Sequence, residues 1–159
     1  MTMSTILVQI TDHSHTLTAL DAACELAYTS HDEIVLLKLV PVNHPSWLGT
    51  DDWGYMNLTA KDQEALLDYQ RYAEKRGVKA EVCCLQSIST MGALVGAAEN
   101  VNAQIVFAHL PHTVIPFWHL WQVRVLRYSL ERQHCQLYLA NGSVTPVWKP
   151  VPQPLQAHN

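Results

Sequence analysis

The chain has 159 residues and a formal net charge of -4, which fits one domain with a short tail, since domains commonly take about 100–200 residues. Ten Lys and Arg against 14 Asp and Glu leave no basic surface to offset a phosphate backbone, which argues against nucleic acid as a partner. Hydrophobic residues at 48% supply a full core, while charged residues at only 15%, against about 25% in typical domains, leave uncharged surface for a partner to cover.

Thr5 to Ile10 (TILVQI) is a short β-branched run ended by Thr11-Asp12-His13-Ser14, a set of turn formers with a candidate N-cap. From Thr16 to Thr29, the residues Leu17, Leu20, Ala23, Cys24 and Ala27 recur every three or four positions, the period of a helix with one buried face. Glu33 to Val40 (EIVLLKLV) is almost continuously apolar, as in a strand covered on both faces. Pro41 to Leu58 shows neither period and is long for a connection, a feature often tied to function or mobility. Thr59 is placed to cap a helix running to Arg76, with Leu66, Tyr69 and Ala73 inward and Gly77 as a left-handed stop. Val78 to Leu85 reads as a third strand, Thr90 to Val101 as a helix, Gln104 to His109 as a fourth strand, Phe117 to Arg132 as a helix and Cys135 to Ala140 as a fifth strand. The tail from Asn141 holds Pro146, Pro150, Pro152 and Pro154 and is expected to be extended or disordered. Such β-α alternation predicts a three-layer α/β sandwich, a parallel sheet between helices, with ligands beyond the C-terminal strand ends where strand order reverses.

The apolar runs fall far short of the ~20 residues needed for a membrane span, and the first strand starts too early to leave room for a leader. The expectation is a soluble, cytoplasmic chain with no membrane role. Cys24, Cys83, Cys84 and Cys135 lie in apolar segments without CxxC spacing, so they read as reduced core residues. Adjacent Cys83 and Cys84 in a strand point to opposite faces and make a poor shared ligand pair.

The opening ILVQITD, the helix end KRGVKAEV, the segment GALVGAAENVNAQIVFAH and the strand CQLYLA resemble the universal stress protein family over about residues 4 to 140. The resemblance implies a Rossmann-like, five-stranded parallel sheet of order 3-2-1-4-5, a homodimer, and a cytoplasmic stress-response role without catalytic chemistry. It divides the chain into a domain at 1–141 and a Pro-rich tail at 142–159. One branch of the family binds ATP through an acidic residue after the first strand and, after the fourth, Gly-x-x-Gly, nine residues, then Gly-Ser or Gly-Thr. Asp12 matches the first feature. At the second stand Ala108-His109-Leu110-Pro111 and Trp121-Gln122, with no glycine between Gly96 and Gly142.

That absence has a physical meaning. A glycine-rich turn brings backbone N–H groups against phosphate, helped by the positive end of the next helix. Pro111 and Pro116 each lack a donor, and Trp118 and Trp121 add bulk. No Lys or Arg falls between Lys79 and Arg124 to compensate. The sequence therefore predicts a universal stress protein-like chain that holds no ATP and needs no cofactor, with a crevice lined by Asp12, His13, His109, Pro111 and His112. The alternative is a sensor of nucleotide, another small ligand or metal using the same crevice near Asp12 and His109, as in the wider adenine-nucleotide α-hydrolase-like group.

Nine histidines are many for this length. His109, His112 and His119 are weak metal candidates, because their spacing lacks the helical HExxH pairing; His13 and His15 stand near the same crevice. Ile115 to Trp121 (IPFWHLW) carries more aromatic surface than one helix face buries. Trp118 and Trp121, with Leu137, Tyr138 and Leu139 of the fifth strand, are thus candidates for a homodimer surface or a small apolar ligand. The fifth strand would be a sheet edge, which needs pairing or cover, so dimerisation through that strand and the tail is the expectation, with Trp148 and the tail across a partner or mobile. Ser14 beside His13 and His15 lacks the strained GxSxG elbow of a hydrolase, so no enzyme is expected.

Overall fold

The computed structural model describes residues 4–41, 59–110, 116–140 and 147–151. In chain order these form β1 (Thr5–Ile10), α1 (His13–Ser30), β2 (Glu33–Pro41), α2 (Ala60–Lys75), β3 (Ala80–Ser87), α3 (Thr90–Asn100), β4 (Ala103–Ala108), α4 (Pro116–Glu131), β5 (Gln136–Ala140) and β6 (Trp148–Pro150). Most of the connection expected at Pro41 to Leu58 lies outside the described residues.

Local chemistry sets the helix ends. Thr59 and Asp62 form a reciprocal capping box at the start of α2, which satisfies two otherwise orphaned donors. The other end closes as a Schellman turn: Gly77 at φ 80° donates to Glu74 and Val78 donates to Ala73, the left-handed exit for which glycine has no steric cost. His31, Asn102 and His134 leave α1, α3 and α4 in the same region, at φ 60°, 52° and 58°, without that advantage. Asp21 of α1 accepts from the Tyr72 hydroxyl and the Arg76 guanidinium, tying α1 to the end of α2.

Every residue of β1 is buried, because this strand lies inside the sheet with helices over both faces. Ile6, Val8 and Ile10 pack with Ala19, Leu20, Ala23 and Ala27 of α1 and with Leu66, Tyr69 and Ala73 of α2. On the opposite face Leu7, Leu37, Val106 and Leu137 meet Leu94, Ala97 and Ala98 of α3 and Leu126 and Leu130 of α4. The two adjacent cysteines divide as expected, Cys84 to the first face and Cys83 to the second. All four cysteines are free thiols.

The sheet has six strands in the order β3-β2-β1-β4-β5-β6, which corrects the expected five. The first five pair in parallel, and β6 runs antiparallel to β5. The expected edge at β5 is therefore covered by the chain's own tail. Trp148 anchors it: the indole packs edge-on against Phe107 at 5.6 Å between centroids, and its Nε1 donates to Thr18 Oγ1 at 3.0 Å. The side chain expected to lie across a partner or stay mobile packs against the core of its own domain. Val151 N donates to Leu137 O at 2.8 Å, and because ladder donors alternate in an antiparallel pair, the nitrogen of neighbouring Pro150 lies on the outer edge.

Candidate functional site

The chain lays β1, β2 and β3 outward in one direction and then returns to place β4 on the other side of β1. Strand order reverses between β1 and β4, and their C-terminal ends carry Thr11-Asp12 and His109-Leu110 respectively. In sheets of this type that reversal opens the ligand crevice.

Asp12 is the N-cap of α1, with extended backbone at φ -69° and ψ 163°. Its Oδ1 accepts from the His15 backbone N at 2.8 Å, and its Oδ2 lies 2.7 Å from His15 Nδ1. Partial burial would raise its carboxyl, but the bonds from the His15 backbone and ring, with the charges of His15 and His109, outweigh it and hold the group below the ordinary carboxylate value. The His15 ring in turn lies against the ring of His109, with centroids 4.1 Å apart and planes tilted by 38°. One ligand atom from each of Asp12, His15 and His109 falls within 4.8 Å of the other two, the single such metal-competent trio among the described residues.

The backbone beneath this trio is fixed from both strands. Gln9, 6% exposed in an otherwise apolar strand, accepts from the His109 backbone N through Oε1 at 2.9 Å. Thr16, fully buried, accepts from the Thr11 backbone N at 2.9 Å. Each pairs a backbone N–H that strand pairing has left behind, as buried polar groups require.

Of the residues singled out from the sequence, Asp12 and His109 come together as expected. His13 departs to the other side, where Nδ1 lies 2.9 Å from the Tyr69 hydroxyl and the rings stack at 5.8 Å. Pro111 and His112 lie outside the described residues. His119 is half-buried on α4 and is not in the trio, whose third member is His15. Trp118 and Trp121 stack on each other at 5.0 Å and are 48% and 52% exposed, beside Phe117 at 80%. Leu137 is buried, Tyr138 stacks on Phe107 at 4.8 Å and Leu139 packs against the core, so these three serve the domain interior. His15 was legible as a neighbour of the crevice, and its Asp-x-x-His spacing across a helix start was the available signal. Gln9 was concealed in TILVQI, where a single polar residue in a buried strand was the clue.

No protein-family profile matches the chain, and no curated protein does. Solved structures do. A protein of the universal stress protein family from Burkholderia pseudomallei superposes with a TM-score of 0.59 at 23% identity, over 86% of this chain and 94% of that one. A universal stress protein in complex with cAMP gives 0.60 at 15% identity, over 88% and 98%. A universal stress protein from Archaeoglobus fulgidus gives 0.55 at 16%, over 77% and 86%. The chain thus has the α/β fold of the universal stress proteins. Among the described residues no helix is long and apolar enough to cross a membrane.

Proposed function

We propose that this chain is a universal stress protein-like regulatory protein of the cytoplasm that acts by binding and self-association, without turnover, and that its crevice holds no ATP. The observation that carries the reading is the content of the switch point: a carboxylate against one imidazole and a second imidazole against the first. The chain that follows is rich in proline and tryptophan and free of glycine from 97 to 141. A triphosphate cradle needs bare backbone donors, and neither feature offers them. The protein solved with cAMP shows that the same fold accommodates a nucleotide; the difference here lies in residues, not in architecture. Isothermal titration with MgATP and with cAMP tests the reading. No saturable heat at millimolar nucleotide is expected, and saturation in the micromolar range overturns it.

Self-association is supported by the aromatic face of α4. Phe117, Trp118, Leu120 and Trp121 are all exposed, and contiguous apolar surface of this kind marks a contact. A second copy is the simplest partner, because a two-fold axis sets one apolar patch against the same patch. Light scattering on the eluting protein should give twice the chain mass, reduced to one by Trp118→Glu with Trp121→Glu. A monomeric parent chain overturns this part.

A further inference from the structure

We propose that Asp12, His15 and His109 form a three-ligand site for a divalent transition metal of the zinc class. The inference rests on the reading above, since it gives the crevice an occupant other than ATP.

An N-cap alone explains Asp12 and the His15 backbone N. It does not explain why the His15 ring also turns onto the same carboxylate at 2.7 Å and 3.0 Å, nor why the His109 imidazole at the end of β4 lies against that ring at 4.1 Å between centroids. Two imidazoles and a carboxylate with ligand atoms this close together are a first-row metal donor set, whereas magnesium and calcium favour oxygen alone. Bonds of about 2.0–2.2 Å set tetrahedral ligand atoms about 3.3 Å apart. Asp12 and His15 already stand near that spacing, and all three ligand atoms lie within 4.8 Å of one another, so side-chain rotation completes the set.

Support from the surrounding residues fits the same purpose. Gln9 holds the backbone of His109 and Thr16 holds that of Thr11, which limits the freedom lost on binding. The positive end of α1 opposes a cation, and the Asp12 carboxylate offsets it. Three protein ligands leave a fourth position for water or an anionic ligand, which gives a sensor a place to read a small molecule.

The test uses the full, untagged chain, stripped with chelator and dialysed against zinc, with bound metal measured by mass spectrometry and affinity by competition with a chromophoric chelator. One equivalent per chain is expected, and cobalt substituted for zinc should show the visible absorption of a low-symmetry N/O site. His15→Ala, His109→Ala and Asp12→Asn should each weaken zinc at least about tenfold, the loss that even an outer partner of a metal ligand produces. Asp12→Asn keeps the helix cap, so it isolates ligation should either alanine variant unfold. His119→Ala should leave binding unchanged. Absence of stoichiometric zinc, or zinc retained in all three variants, overturns the site. MgATP titrated into the same metal-free protein separates the two claims: saturable ATP binding overturns the function proposed above whatever zinc does, whereas no zinc and no ATP overturns the metal site alone.

Discussion

Asp12 caps α1 through Oδ1 and meets the His15 ring with both carboxylate oxygens, and substitution separates the two roles. Asp12→Ala removes both and should lower stability by about 1 kcal/mol, read as an earlier thermal transition in circular dichroism. Asp12→Asn should stay close to the parent, since asparagine caps as well as aspartate. Exposed His31, at φ 60°, offers the opposite sign. His31→Gly removes the left-handed penalty of a Cβ and should gain up to about 1 kcal/mol after the glycine's own entropy cost, seen as a higher urea midpoint. The cap at Asp12 was legible because it is local: a turn former at a strand-to-helix boundary. The meeting of His15 with His109 was not, because only the return of the chain to the other side of β1 brings them together.

At the scale of elements, β6 is the part of the fold that the sequence concealed. A three-residue strand shows no alternation to read, and the prolines around Trp148 argue for exposed, extended chain, which is only half of what they do here. The indole supplies the missing half by packing on Phe107 and bonding Thr18. Trp148→Ala should cost about 2 kcal/mol, below the 3–5 kcal/mol of a fully buried tryptophan because this one is partly exposed; a denaturant titration followed by far-ultraviolet circular dichroism measures it. The longer elements were legible to within a few residues, because apolar periodicity marks them and capping residues mark the starts of α1, α2 and α3. The capping box at Thr59 and the Schellman turn at Gly77 fix both ends of α2 by interactions that lie within a few residues of one another.

Across the whole molecule the thiols give the domain a characteristic response to alkali. Burial raises the pKa of Cys24, Cys83, Cys84 and Cys135, that of Cys135 to about 12. An unfolded thiol ionises near about 8.5, so above that pH the unfolded chain has released protons that the folded chain retains. By linkage, stability then falls as pH rises, and for Cys135 the fall continues toward pH 12. Below about pH 8 the thiols are neutral in both states and contribute no slope. The urea midpoint should therefore be lower at pH 10 than at pH 7.5, and a thiol reagent at pH 8 should label Cys135 only when urea opens the chain; prompt labelling of Cys135 in the folded protein would contradict its burial. The same economy governs the border of the sheet. Pro150 turns a nitrogen without hydrogen outward on the last strand, so a β-segment arriving from a neighbouring molecule meets a rung with nothing to donate. Growth from that side is hindered at that rung, and an amyloid-like stack, which depends on an unbroken succession of rungs, is interrupted there.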